Sequence, residues 1–259
     1  MRGLAGKAIL VTGSSTGIGY AMAERLVTDG AKVLIHGRDP AEVDAAVGRL
    51  GAAASGTTGD LAKPETAQAV VDATIRAFGR IDGLVNNAGI YPRGVLGETT
   101  AAFFDHMFAI NTRAPLLCAE AAIRAFRAQK SPGAIVTVGS INAWCGNSNL
   151  TVYSMSKGAL MTMTRNLANT LGREHIRVNQ LNVGWTFTAN EDQTQQREGK
   201  KPGWEKEVPL ELAPFGRIME PAEIASHTAF WLSEESGRVS GQIYEVEQYP
   251  LMGRGRAAD

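Results

Sequence analysis

The stretch Ala8-Ile9-Leu10-Val11-Thr12-Gly13-Ser14-Ser15-Thr16-Gly17-Ile18-Gly19 passes from a short apolar run directly into a glycine-rich turn, with helical periodicity beyond it. Glycine is needed where a backbone turns sharply or approaches a phosphate. The N-terminus of the helix that follows supplies free N–H groups and the positive end of a dipole. The stretch therefore predicts a buried strand, an anion-cradling loop and a helix, the opening unit of a nucleotide-binding sheet. A glycine triplet alone marks any tight strand-to-helix turn; its position at the first such junction carries the reading.

Further strands are expected at Lys32–Ile35, Gly83–Val85, Ala134–Val138, Arg177–Val183 and Gln242–Val246, with a weaker one before Asp60. Several are continuously apolar rather than alternating, which suits strands covered on both faces. Helix starts are legible too. Asp39-Pro40-Ala41-Glu42 offers an N-cap, a first-turn proline and an acid three residues after the cap; Lys63-Pro64-Glu65 and Glu220-Pro221-Ala222-Glu223 carry similar signals. Gly30 reads as the C-terminal cap of a helix ending near Asp29. Strand, helix, strand in this order implies right-handed crossovers, and so a doubly wound parallel α/β sheet of the Rossmann type with helices on both faces. Its ligand crevice lies beyond the carboxyl ends of the strands. No Pro/Ser-rich linker or charge block interrupts the alternation, so residues 1–259 read as a single domain. The polar stretch 189–215, rich in Glu, Lys and Gln, reads as a loop or lid inserted in it.

Apolar residues make up 44% of the chain and charged residues 20%, which is globular composition and argues against disorder. The 26 basic and 26 acidic residues cancel without a basic tract, so the footprint of a nucleic-acid binder is missing. Neither a signal peptide nor an apolar run of membrane-spanning length is present, and a soluble cytoplasmic protein is expected. Cys118 and Cys145 form no CxxC, and the four histidines form no HExxH, so no metal is expected.

Asp60 follows the weak third strand and Asn86-Asn87-Ala88-Gly89 the fourth, both on the sheet edge that carries the glycine loop. Singly each is ordinary turn chemistry; together they favour a nucleotide crevice. Ser140 follows the fifth strand, Tyr153 lies thirteen residues later, and Lys157 follows Tyr153 by four. Positions i and i+4 share a helix face, so the Lys157 ammonium is expected beside the Tyr153 phenol, where a positive charge favours phenolate. Tyr–Lys pairs at this spacing are also common on plain helix surfaces.

With Asn111, the glycine loop, Asn86-Asn87-Ala88-Gly89, Ser140 and Tyr153-Ser154-Met155-Ser156-Lys157 together resemble the classical short-chain dehydrogenase/reductase family along essentially the whole chain. The resemblance implies a Rossmann-type sheet of about seven strands. It implies an NAD(P)(H)-dependent oxidoreductase that moves a hydride between nicotinamide and a carbonyl or secondary alcohol. By the same resemblance Tyr153 gives or takes the proton, and Lys157 lowers the Tyr153 pKa and binds the nicotinamide ribose. Ser140 hydrogen-bonds the developing alkoxide, and Asn111 holds a water linking Lys157 to solvent. Gly13, Ser15, Thr16, Gly17, Ile18 and Gly19 would hold the phosphates, and Asp60 and Leu61 the adenine end. Asn87, Ala88 and Gly89 would line the central ribose, and Thr186 and Thr188 the carboxamide. A homo-oligomer, tetramer or dimer, is implied through helices near 101–129 and 151–171. Leu116, Leu117, Leu160, Met161 and Met163 suit such a contact and an intramolecular core equally.

Two departures from the family pattern stand out. Val183-Gly184-Trp185-Thr186-Phe187-Thr188 occupies the place of a Pro-Gly pair followed by Thr, and valine does not fix φ as proline does. Tyr244-Glu245-Val246-Glu247-Gln248-Tyr249-Pro250 stands where a strand is followed by Asp-Gly-Gly. The tail from Gln248 to Arg256 is expected at a subunit contact or a pocket mouth.

In NAD-preferring relatives an acid at the end of the second strand binds the ribose 2′-hydroxyl and repels a 2′-phosphate. Here His36-Gly37-Arg38-Asp39 places Gly37 there, and the Arg38 guanidinium follows, so NADP(H) is favoured with NAD(H) as the alternative. Asp39 either pairs with Arg38 or caps the next helix. Asn142, Trp144, Asn147 and Asn149 after Ser140, and Trp185, Asn190 and Glu191 after the sixth strand, mix amide and indole groups in the walls of the expected pocket. Such walls suit a sugar or polyol, or are simply loop residues facing water. A reductase of ketones or 3-oxoacyl thioesters is the alternative substrate reading. A non-catalytic nucleotide-binding regulator is the alternative of another class, opposed by the joint presence of Asn111, Ser140, Tyr153 and Lys157.

Overall fold

In a computed structural model, which describes residues 1–249, seven parallel strands form one sheet in the order β3-β2-β1-β4-β5-β6-β7. They are β1 (Ala8–Val11), β2 (Lys32–Gly37), β3 (Ala54–Thr58), β4 (Gly83–Asn86), β5 (Gly133–Ser140), β6 (Ile176–Val183) and β7 (Ile243–Val246). The helices among the described residues are α1 (Gly17–Thr28), α2 (Pro40–Leu50), α3 (Pro64–Phe78), α4 (Ala101–Phe108), α5 (Ala114–Gln129), α6 (Thr151–Leu171), α7 (Ala189–Arg197) and α8 (Pro221–Leu232). The Rossmann-type reading holds. The chain runs outward from β1 to β3 and then resumes on the other side of β1, so the order reverses between β1 and β4, where such sheets open a crevice.

Successive strand residues point to opposite faces and feed two cores. Ile9 and Val11 pack with Met22, Leu26, Ile224 and Leu232 from α1 and α8. Leu10, Leu34 and Leu84 pack with Val70, Val71 and Phe126 from α3 and α5. β3 is weaker in sequence because it is the sheet edge, with none of its residues fully buried. The cap readings also hold at Gly30, which takes φ +89°, and at Glu220 and Glu223, which form a reciprocal capping box before α8. At α2, Asp39 accepts from Ala41 N at 2.8 Å, but Glu42 does not close a box. Its carboxylate turns to the glycine loop and accepts from Ser15 Oγ at 3.0 Å.

Between α4 and α5 the helix widens into one π turn, Ala109–Arg113, which carries Asn111. Such turns put a side chain where regular α geometry would not. Leu160 and Met161 are buried in the chain's own interior, whereas Leu116 and Met155 are exposed. Gln248 folds back, accepting from Phe215 N at 3.0 Å and donating to Arg217 O at 2.6 Å. The rest of the tail considered above, from Pro250 to Arg256, lies outside the described residues. Among the described residues no helix is long and apolar enough to cross a membrane, and no cluster of His, Cys, Asp or Glu is placed to hold a metal.

Candidate active site

The glycine loop is braced from two sides. Gly13 takes φ +61°, and a β-carbon there would come within 2.8 Å of Ala88 Cα, so the loop and the end of β4 touch backbone to backbone. Asn87 holds that contact by donating from Nδ2 to Thr12 O at 2.9 Å and Gly13 O at 2.8 Å, while Thr12 Oγ1 accepts from the N–H groups of Asn87 and Ala88. On the other side His36 is buried between the loop and the end of β3. Its Nδ1 accepts from Gly13 N at 3.2 Å and its Nε2 donates to Gly59 O at 3.1 Å, which fixes the tautomer. Burial lowers its pKa, Asp60 opposing.

α1 then starts without a partner for its first N–H groups. Thr16 makes no side-chain cap, no acid stands in the first turn, and Thr16 is exposed. Gly17 and Ile18 open the helix, and Gly19 packs so closely that a β-carbon would collide with Gly13 O and the Asn87 amide. Asp60 forms a turn by accepting from Ala62 N at 2.9 Å. The Leu61 side chain is buried in the core, which leaves its backbone as the part able to face an adenine.

Ser140, Tyr153, Lys157 and Asn111 converge beyond the ends of β4 and β5. The Tyr153 hydroxyl lies beside Ser140, near enough for the serine to act on its pKa, and Ser140 Oγ accepts from Asn142 N at 3.1 Å. Asn111 pins the loop after β4 in both directions, accepting from Ile90 N at 2.8 Å and donating to Ile90 O at 2.8 Å. Gly89 lies between Asn111 and Lys157, 3.3 Å from each polar atom if it carried a β-carbon. Burial raises the Tyr153 pKa, Ser140 opposing, and burial lowers Lys157 to about 8. The expected lowering of Tyr153 by Lys157 is absent here. At i+4 the ammonium lies 5.9 Å from the centroid of the Tyr153 ring rather than at its hydroxyl, and it donates to Val138 O at 2.9 Å.

Over these groups lies a roof from two segments. Tyr91 meets Tyr153 edge to face at 6.4 Å, and its hydroxyl accepts from Asn190 Nδ2. Arg93 pairs with Glu198 at 2.8 Å. Trp185 stacks on Trp204 at 5.2 Å and donates from Nε1 to Glu191 at 2.8 Å. The two departures in sequence meet at this point. Gly184 N donates to Val246 O at 2.9 Å, and Trp185 N donates to the Glu247 carboxylate at 3.2 Å. Met219 N and Phe187 N exchange further bonds across Trp185 O and Met219 O. The loop after β6 is thus fixed by hydrogen bonds where a proline would have fixed it by its ring. Thr186 is buried there and donates to Gly184 O at 3.1 Å, while Thr188 caps α7 with its methyl 3.7 Å from where a Gly17 β-carbon would stand.

A family profile described as Enoyl-(Acyl carrier protein) reductase matches residues 13–248. The (2S)-[(R)-hydroxy(phenyl)methyl]succinyl-CoA dehydrogenase subunit BbsD of Thauera aromatica is 33% identical over 94% of this chain and 96% of its own. An L-rhamnose 1-dehydrogenase (NAD(P)(+)) of Sphingomonas sp. is 33% identical over 95% and 97%. The crystal structure of a 3-ketoacyl-(acyl-carrier-protein) reductase from Brucella melitensis complexed with NADH matches with a TM-score of 0.82 and 30% identity, covering 94% and 97% of the two chains. The chain belongs to the short-chain dehydrogenase/reductase family.

This dehydrogenase/reductase is therefore an NAD(P)(H)-dependent oxidoreductase of alcohols and carbonyls. Its residues fit a dinucleotide, because the uncapped start of α1 offers N–H groups to an anion within a loop whose glycines leave backbone exposed. A β-carbon at Gly37 would lie 2.8 Å from Ser15 Oγ and 2.9 Å from Val43, so the position is closed to an acid. Asp39 caps α2 rather than pairing with Arg38, which is exposed and forms no hydrogen bond or ion pair with the described residues. Of the expected pocket walls, Asn142 and Trp185 flank the site. Trp144 instead is 46% exposed and donates to Glu245 at 2.5 Å, and Asn147 sits in an exposed turn, so both lie at the rim. Sequence reasoning quoted Thr12 and His36 within motifs but gave neither a role, and it did not single out Tyr91. The available signal for Tyr91 was adjacency, since it lies two residues past Gly89.

Proposed function

We propose that the chain is a single-domain, NADP(H)-preferring enzyme that interconverts a polyhydroxylated alcohol, of the sugar or polyol class, and its carbonyl. The carrying observation is that Ser140 and Tyr153, set side by side, lie by a roof of Tyr91, Asn190, Glu191 and Trp185, which offers polar groups beside aromatic faces. The similarity to an L-rhamnose 1-dehydrogenase supports the same class. The bound nicotinamide supplies or accepts the hydride. Tyr153 gives its proton to the carbonyl oxygen in reduction, and its raised pKa keeps that proton in place at neutral pH. Ser140 holds the same oxygen. Lys157 and Asn111 order the ribose side, and Thr186 and Thr188 flank the carboxamide. Gly13, Ser15, Thr16, Gly17, Ile18 and Gly19 hold the phosphates, Asp60 and Leu61 the adenine end, and Asn87, Ala88 and Gly89 the central ribose. Arg38 faces a 2′-phosphate.

Residues 189–215 act as a lid, strapped to the loop after β4 by Asn190–Tyr91 and Glu198–Arg93. Exposed Leu116 and Met155 on α5 and α6 support a homo-oligomer, dimer or tetramer. The unpaired thiols of Cys118 and Cys145 support a reducing cytoplasm. The similarity to a 3-ketoacyl reductase, with Leu210, Leu212 and Phe215 exposed past the lid helix, favours 3-oxoacyl thioesters as the second reading. A panel of polyols, alkyl alcohols, ketones and 3-oxoacyl thioesters, run with NADP and NAD, decides between them. Higher kcat/KM for alkyl or thioester substrates removes the polyol reading. Tyr153→Phe is expected to lower kcat by about 10²- to 10⁴-fold with NADPH affinity unchanged. Because Tyr153 must lose its proton to oxidise an alcohol, oxidation should quicken as pH rises.

A further inference from the structure

Glu191 stands in the first turn of α7 and is only 9% exposed. Both hydrogen bonds to its side chain fall on one oxygen: Trp185 Nε1 and Gln195 Nε2 each donate to Oε1 at 2.8 Å. Oε2 accepts none among the described residues, and no cation pairs with the carboxylate. Arg93, the guanidinium of the roof, is taken by Glu198. A carboxylate has about four acceptor positions, and Oε2, which is not among the fully enclosed polar atoms, keeps its own open to water or to an incoming donor.

Its position says from where. Its neighbour Asn190 bonds the Tyr91 hydroxyl and Tyr91 meets Tyr153 edge to face at 6.4 Å, so this turn of α7 borders the reacting groups, and the Glu191 charge acts to raise both tyrosines. The neighbouring roof groups are already closed on one another. Asn190 Nδ2 donates to the Tyr91 hydroxyl, and Thr194 Oγ1 donates to Asn190 O at 2.8 Å. That leaves Glu191 Oε2 as an open acceptor in the turn that borders Tyr153.

We infer that Glu191 Oε2 accepts a hydrogen bond from a substrate hydroxyl neighbouring the reacting carbon, and that Glu191 thereby selects hydroxylated substrates over plain alkyl ones. The inference rests on the polyol reading above and names the group that enforces it. An acceptor-only group rewards a hydroxyl, repels a carboxylate or phosphate, and is left unpaired by an alkyl chain, which is how a polar site rejects an analogue lacking one hydroxyl.

The test uses 2,3-butanediol against 2-butanol, and acetoin against butanone, pairs that differ by one hydroxyl. The wild type is expected to favour the hydroxylated member in kcat/KM. In Glu191→Gln that ratio should fall by about 10- to 100-fold, the worth of one charge-assisted hydrogen bond, with the loss in the KM of the hydroxylated member. The pH at which oxidation quickens should also move down, because a negative charge near Tyr153 is gone. NADPH titration and circular dichroism establish that the variant is folded; if it is not, Glu191→Asp, which withdraws the carboxylate by one methylene, must show the same fall. A wild type that favours hydroxylated substrates and a folded variant that keeps the preference overturn Glu191 and leave the polyol reading standing. Equal losses on both members assign Glu191 a structural role and overturn the inference. A wild type without the preference overturns the polyol reading itself and the inference with it.

Discussion

The first turns of α1 and α7 meet across the crevice, Gly17 against Thr188, yet they are finished in opposite ways. Each begins with backbone N–H groups that lack a partner within the helix and with the positive end of a dipole. At α7, Thr188 Oγ1 accepts from Glu191 N at 3.0 Å, and Glu191 and Asp192 add negative charge in the first turn. Those acids then bind the two indoles below, Glu191 the N–H of Trp185 and Asp192 that of Trp204. At α1 there is neither cap nor acid. A helix end finished by its own side chains serves the fold. One left bare inside a crevice is reserved for an anion.

The sharpest way to break this contrast is to finish α1 like α7. Thr16→Asp sets a carboxylate against the free N–H groups, in competition with the dinucleotide phosphates. NADPH affinity by fluorescence titration should fall about 10- to 100-fold while the melting temperature holds or rises. Unchanged affinity would show that the bare end is not the phosphate site. Next in size, Arg38→Ala should lower kcat/KM with NADP by about tenfold and leave NAD nearly untouched, and Glu42→Gln should shift preference the other way by removing the carboxylate beside Ser15. Equal effects on both cofactors would take Arg38 out of the 2′ pocket.

His36 sharpens the contrast through pH. It is held neutral below its ordinary pKa, so on acidification through 6.5 the unfolded chain binds a proton that the folded one refuses. Stability should then fall by at most about 1.4 kcal/mol per pH unit, and His36→Gln should remove that part of the dependence, read as melting temperature at pH 7 and pH 5. The smallest effect is at α7. Thr188→Ala should cost about 1 kcal/mol, a few degrees of melting temperature, because a cap is lost and nothing else moves.

The fold was legible because its signals are local. β1 falls on Ala8–Val11 as read, Asp39 caps as read, and Gly30 ends α1 as read. The gathering of Ser140, Tyr153 and Lys157 was legible through the family resemblance, since helix spacing alone left the Tyr153–Lys157 pair open to a plain surface reading. What escaped depends on contacts distant in sequence. Trp144 and Trp185 look alike in sequence, but Glu245 draws one to the rim and Glu191 and Trp204 draw the other inward. Glu42 has the spacing of a capping acid, yet Ser15, from another element, takes it. The π turn around Asn111 leaves no compositional mark, since it is one extra residue in a helix. The pairing of Gly184–Trp185 with Glu247 looked like two unrelated departures until both segments were seen side by side.

Two of the four tryptophans of the chain, Trp185 and Trp204, are stacked with 22° between their planes, and Lys200 lies 4.9 and 4.8 Å from their rings. Indoles so close share excitation, so the pair has a near-ultraviolet dichroic signal that separated indoles lack, and indole emission overlaps nicotinamide absorption. Lid and cofactor are therefore an optical donor and acceptor within one molecule. Opening of the lid and arrival of the dinucleotide can be timed separately in a stopped-flow instrument, without a label, from the dichroism of one and the quenching of the other.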